Sequence, residues 1–119
     1  TVIIIDHLGR IGANGTILQS DIDQLCALSR NENIYLKVSA FYALGNKKPP
    51  HLDLLPLIKQ VYNSYGSDRL MWASDAPPAL IGESYEDQIS LIRDHIDFIS
   101  ERDKEKLMRT TAERIFFFK

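Results

Sequence analysis

Thr1-Val2-Ile3-Ile4-Ile5-Asp6-His7 opens the chain and decides how the rest is read. The run is β-branched and shows no polar–apolar alternation, which suits a strand covered on both faces, as in parallel sheets. It ends on an acid and an imidazole. Two further segments repeat its outline. Asn33–Ser39 carries Ile34-Tyr35-Leu36-Lys37-Val38, and Arg69–Ser74 carries Leu70-Met71-Trp72-Ala73. Asp6, Ser39 and Asp75 follow or close these three strands at intervals of 33 and 36 residues. Intervals of that size hold one strand, one loop and one helix, and such crossovers force the strands to run parallel.

The segments between the strands support this reading. Ser20 or Asp21 is expected to cap a helix running to about Arg30, with Ile22, Leu25, Cys26 and Leu28 inward. Asp53 is expected to cap a second helix, with Pro56 in its first turn and Gly66 as its stop. Leu57, Ile58, Val61, Tyr62 and Tyr65 form its apolar stripe. Tyr85, Ile89, Ile92, Ile96 and Ile99 mark a third, strongly amphipathic helix behind the capping pattern Ser84-Tyr85-Glu86-Asp87. Ser100-Glu101-Arg102-Asp103 opens a short helix to about Arg109, and a last helical turn covers Ala112 to Phe116. The chain divides into βα units at 1–31, 32–67 and 68–119, within one domain over 1–119.

Composition narrows the function. The 119 residues carry 14 Lys+Arg against 16 Asp+Glu, a net charge of -2. No basic excess exists to displace counterions from a nucleic acid. Cys26 is the only cysteine, so no disulfide framework forms within the chain. No apolar run reaches the roughly 20 residues of a membrane span and no signal peptide is seen, so neither membrane nor nucleic acid is an expected partner and the default compartment is cytoplasmic. Both ends are apolar, closing on Ile115-Phe116-Phe117-Phe118-Lys119, whereas domain boundaries are usually polar. The expectation is a piece of a larger domain, or a module that needs a second copy.

In βα folds, functional groups gather where strands end and the following loops begin. Those positions hold Asp6-His7, Lys37 with Ser39, and Ser74-Asp75. The loops after the strands are long and rich in Gly or Pro, while the returns at Asn31–Glu32 and Ser67–Asp68 are tight. An imidazole at a strand end can orient water, polarise a carbonyl or ligate an ion. Asp75 can take a proton from water or hold an ion, or serve only as a turn residue before Pro77. Lys37 is costly in a buried strand unless paired, so it either holds a substrate carboxylate or pairs with Asp6 or Asp75. Arg10 offers a planar fork for an anion. Trp72 is a candidate substrate contact. His51 and His95, away from strand ends, are read as solvated.

Ile4-Ile5-Asp6-His7-Leu8-Gly9-Arg10, Asn33–Ser39, Asp68-Arg69-Leu70-Met71-Trp72-Ala73-Ser74-Asp75-Ala76-Pro77 and Thr111-Ala112-Glu113-Arg114-Ile115-Phe116 together resemble the last three βα units of the amidohydrolase-2 family. The resemblance implies an α/β fold, the C-terminal part (about strands 6–8) of a TIM (β/α)8 barrel. It implies hydrolysis of a lactone, ester or amide by an activated water, or the related non-oxidative decarboxylation. His7 would match the histidine that ends the sixth strand and polarises the carbonyl or orients water. Asp75 would match the aspartate that ends the eighth strand, activates water and, in metal-dependent members, approaches zinc. Arg10, Lys37, Ser39 and Trp72 would contact a small, carboxylate-bearing substrate. Some relatives need no ion.

The sequence departs from the family pattern in several places. His7, His51 and His95 are its only histidines, so the first-strand His-x-His pair and the fifth-strand histidine are absent. A zinc site needs about three protein ligands, so the remaining barrel half, or self-association, is expected to complete one. Ala76 stands for a usual Trp, Ala73 for a common Gly, Ile11 for a frequent Pro, and Thr111 for the Asn that opens the closing motif. A catalytically incomplete chain that acts only through association is the other expectation.

Overall fold

The computed structural model describes residues 2–73 and 85–111. Three parallel strands lie side by side in chain order: β1 (Ile3–Ile5), β2 (Ile34–Ser39) and β3 (Leu70–Ala73). Ile5 pairs with Leu36, and Leu36 pairs with Leu70. Helices α1 (Gln19–Ala27) and α2 (Leu55–Tyr65) make the crossovers, and α3 (Tyr85–Asp94) and α4 (Glu101–Glu105) follow, the last running into a π-helical turn over Lys106–Thr110. The parallel βα order expected from the strand spacing is therefore observed.

The pleat explains where the core sits. Alternate residues of a strand face opposite sides. Ile34, Leu36 and Val38 of β2 are buried with Leu70 of β3 against Ile22 and Leu25 of α1, and against Leu57, Ile58 and Val61 of α2. Burying one such side chain contributes about 1.5–3 kcal/mol. The intervening residues Tyr35, Lys37 and Ser39 share the other face of β2.

Several local expectations change. β1 is shorter than expected, and it is not covered on both faces: Ile3 is 48% exposed. It pairs only with β2 among the described residues, so its outer edge lacks cover. Helix α1 starts at Gln19 behind Leu18, which makes no side-chain cap, and Ser20 and Asp21 lie inside the first turn. Its last residues pass into a 3-10 turn over Leu28–Arg30. That tightening rotates Leu28 outward, leaving it exposed rather than inward. Asp53 does not cap α2, which grows out of a 3-10 turn over Leu52–Leu54. Helix α3 stops at Asp94, and Ile96 and Ile99 reach the core from the connection beyond it. Ser100 caps α4 as expected, its Oγ accepting from the Asp103 N–H at 3.1 Å. The Ser84 cap and the turn at Ala112–Phe116 lie outside the described residues.

Side chains fasten the N-terminal ends of the strands. Tyr65 donates its hydroxyl to the Leu25 carbonyl at 2.7 Å, and Arg69 donates to the Asn31 carbonyl at 2.9 Å. Thr111, fully buried, donates to the Ser67 carbonyl at 2.8 Å. Thr111 thus closes onto the tight return before β3 even though the family pattern has Asn there. Tyr62 on α2 donates to Asp103 on α4 at 2.6 Å. That bond holds the Asp103 carboxyl below the usual range and raises the Tyr62 hydroxyl above its own.

Candidate active site

Two of the expected site residues meet at the C-terminal ends of β1 and β2. The His7 Nδ1 lies 2.9 Å from the Ser39 Oγ. Ser39 is completely buried at the last position of β2. Beside it, Lys37, two residues before Ser39 on β2, places its Nζ 3.2 Å from the Oδ1 of Asp6, the residue before His7. Of the partners open to Lys37, the fold supplies Asp6. This pair is partly exposed (31% for the Lys37 side chain, 59% for Asp6), so it contributes little stability, about 0–1 kcal/mol. Its consequence is electrostatic: a cation and an anion sit on the same rim as the imidazole.

The backbone that presents His7 is unusual. His7, Leu8, Gly9 and Arg10 all have positive φ, between 52° and 63°. A left-handed turn costs about 1–2 kcal/mol for each residue with a Cβ. Leu8, at the middle of this turn, is fully buried in the core, and its burial offsets part of that cost. Strain held this way gathers at functional sites. The glycine spacing marks a loop, yet no local pattern announces a left-handed turn through His, Leu and Arg.

The loops after β1 and β2 are knitted together. The Gly45 N–H donates to the Gly12 carbonyl at 2.9 Å. A Cβ on Gly12 would lie 2.9 Å from both the Gly45 nitrogen and the Ile17 Cγ1, and one on Gly45 would collide with the Asp53 Oδ2. That carboxylate oxygen accepts from the Asn46 N–H at 2.9 Å. The sequence reading assigned no role to Gly12, Gly45 or Asp53 in this contact, because residues 33 positions apart leave no periodic signal. His51 is a further correction. Expected to be solvated, it is completely buried, with its ring centroid 6.0 Å from that of Phe41. The turn that follows Ser39 folds Phe41 inward and covers it. His95 is exposed, as expected.

Arg10 and Trp72 do not join His7 among the described residues. Arg10 lines a groove of about 510 Å3 shared with Ile5, Asp21, Gln24, Leu25 and Leu28 along α1. Trp72 packs against the helix-facing core, and its register partner is Val38, not Lys37 or Ser39. Asp75 and Ser74 lie outside the described residues. Among the described residues no group of three or more His, Cys, Asp or Glu side chains is arranged to hold a metal ion. The His7 Nδ1 and the Asp6 carboxylate already engage Ser39 and Lys37, so the described residues by themselves do not fit a zinc site. No helix among them is long and apolar enough to cross a membrane.

Residues 1–118 match the amidohydrolase family model, Amidohydro_2. The chain belongs to this family. The amidohydrolase chain also superposes on solved structures. A candidate 2-pyrone-4,6-dicarboxylic acid hydrolase from Pseudomonas putida gives a TM-score of 0.80 at 27% identity, over 99% of this chain and 44% of its own. An amidohydrolase from Burkholderia multivorans solved with bound zinc gives 0.79 at 21% identity, over 95% of this chain and 43% of its own. A candidate hydrolase of the same pyrone acid from Acinetobacter baumannii, with citric acid bound, gives 0.76 at 24% identity, over 97% and 43%. This amidohydrolase chain thus spans less than half the length of these structures. No protein with a curated description matches it.

Proposed function

We propose that the chain is the C-terminal part of an amidohydrolase barrel, about its sixth to eighth strands. Its βα units are 1–31, 32–67 and 68–119, and the whole protein cleaves a lactone, ester or amide with an activated water. The observation that carries this reading is the His7–Ser39 bond across the C-terminal ends of two parallel strands. In a βα fold that rim is where reacting groups are held.

In the proposed reaction the Asp75 carboxylate takes a proton from water as the water oxygen bonds to the substrate carbonyl carbon. His7 donates a hydrogen bond from Nε2 to the carbonyl oxygen as negative charge builds there. The C–O or C–N bond then breaks, and the leaving group takes up the proton that Asp75 had received. Lys37 places positive charge on the same rim, which favours a substrate bearing a carboxylate. A pyrone dicarboxylate, named for the Pseudomonas putida relative, has both the lactone and the carboxylates and is the first substrate to try. A divalent ion, zinc in the Burkholderia multivorans structure, would take ligands beyond the described residues, and no step here runs through it.

The test uses the whole protein with that pyrone. Asp75→Asn is expected to lower kcat by about 10²–10⁴-fold, the usual contribution of a general base, with substrate binding retained. Turnover like that of the unaltered protein would remove Asp75 from the mechanism.

A further inference from the structure

We propose that Ser39 is a positioning residue that fixes the tautomer of His7, holding the imidazole proton on Nε2 so that His7 meets its substrate as a hydrogen-bond donor. The inference deepens the hydrolase reading and rests on it for the word substrate; the tautomer itself does not.

Ser39 is completely buried, so water does not reach its Oγ. Among the described residues the His7 Nδ1 is the one side-chain partner it has, at 2.9 Å. A serine hydroxyl has a single proton to donate and lone pairs to accept with. A buried O–H that donates to nothing loses its hydration without replacement. Among the described residues the acceptor it reaches is Nδ1, and Nδ1 accepts only when it carries no proton. In the neutral ring the proton then sits on Nε2. The reverse arrangement, with Nδ1–H donating to Oγ, would strand the serine proton in the core.

The placement makes this bond stiff. Ser39 is the last residue of β2, paired in register with Ala73 of β3. Its backbone cannot shift without disturbing the central strand of the sheet. His7 opens the left-handed turn anchored by the buried Leu8. Both partners are therefore held by the fold. The fixed tautomer gives Nε2 a proton rather than a lone pair to present, which suits stabilising an oxyanion and does not suit ligating an ion or acting as a base.

The test is a long-range 15N–1H correlation spectrum of the imidazoles, recorded on the 15N-labelled protein at a pH where they are neutral. His7→Gln identifies the His7 signals among three histidines. The expected result is a pyridine-type shift on Nδ1 and a pyrrole-type shift on Nε2. Ser39→Ala should move the Nδ1 signal and admit the other tautomer, and Ser39→Thr, which keeps the hydroxyl, should restore the single form. A proton on Nδ1 in the unaltered protein, or a Ser39→Ala spectrum identical to it at His7, would overturn the proposal. If Ser39→Ala does not fold, the unaltered protein's spectrum still decides. Because nothing is turned over, a failure here stands apart from a failure of the hydrolase reading, which shows only in activity.

Discussion

Replacing Gly45 by alanine should loosen the rim in a way that can be dissected. The residue sits at φ 61°, where a side chain costs about 1–2 kcal/mol. The added Cβ would also occupy the place of the Asp53 Oδ2. Asp53 must swing away and release the Asn46 N–H, a hydrogen bond to a charged group worth about 1.5–3 kcal/mol. The two effects together cost about 2.5–5 kcal/mol. Urea unfolding followed by circular dichroism reads this as a midpoint lower by about 1–2.5 M, at a slope of about 2 kcal/mol/M. The second effect needs the carboxylate. In an Asp53→Ala background the same glycine change should cost only the backbone share, about 1–2 kcal/mol. A Gly45→Ala protein within about 0.5 kcal/mol of the original, or an equal cost in both backgrounds, would refute the clamp.

Other outcomes follow from the same structure. Tyr62→Phe should reduce the pH dependence of stability on both sides. The depressed Asp103 contributes stability above its unfolded value near about 4 that is lost as pH falls through its folded value, while the raised Tyr62 contributes stability below about 10 that is lost as pH rises through its own. Urea midpoints across pH check this, and parallel curves for the two proteins would contradict it. Thr111→Val keeps the shape but leaves the Ser67 carbonyl without its donor, and should cost about 1–2 kcal/mol in the same assay. Lys37→Met should change stability by less than about 1 kcal/mol, since its pair with Asp6 is partly exposed. In the whole protein it should raise KM for a carboxylate substrate by about ten-fold or more, as loss of a charge-assisted contact would. An unchanged KM would take Lys37 out of substrate binding.

The strand order was legible because β-branched runs, tight returns and 33- to 36-residue spacing are local or nearly local signals. The stripe of α2 was legible for the same reason: Leu57, Ile58, Val61 and Tyr65 are all buried as their period implies. Helix ends were less so. Leu18 starts α1 without a capping side chain, because packing of Ile22 and Leu25 outweighs the modest preference for a polar cap. At the site, strand ends pointed to His7, Lys37 and Ser39, since the pleat puts Lys37 and Ser39 on one face of β2 and His7 follows the end of the neighbouring β1. The same periodicity places Trp72 with Val38 on the core side, a parity that counting along β3 from a known pairing would have given. Arg10 could not be placed from sequence, because a left-handed turn reverses the direction expected of the residue after a strand. The burial of His51 depends on Phe41 folding over it, a contact ten residues away in irregular chain.

The two ends of the strands are secured independently. On one side Tyr65, Arg69 and Thr111 grip main-chain carbonyls; on the other, His7 pairs with Ser39, Gly45 with Gly12, and Asp53 with the Asn46 N–H. None of these side chains serves both sets. Lineages that remodel the reactive end for a new compound can therefore leave the foundations alone, and a directed-evolution library confined to the exposed loop positions Ala13, Asn14, Thr16 and Lys48 should retain a larger share of folded variants than one of equal size that includes Leu8, Gly12, Phe41 and Gly45.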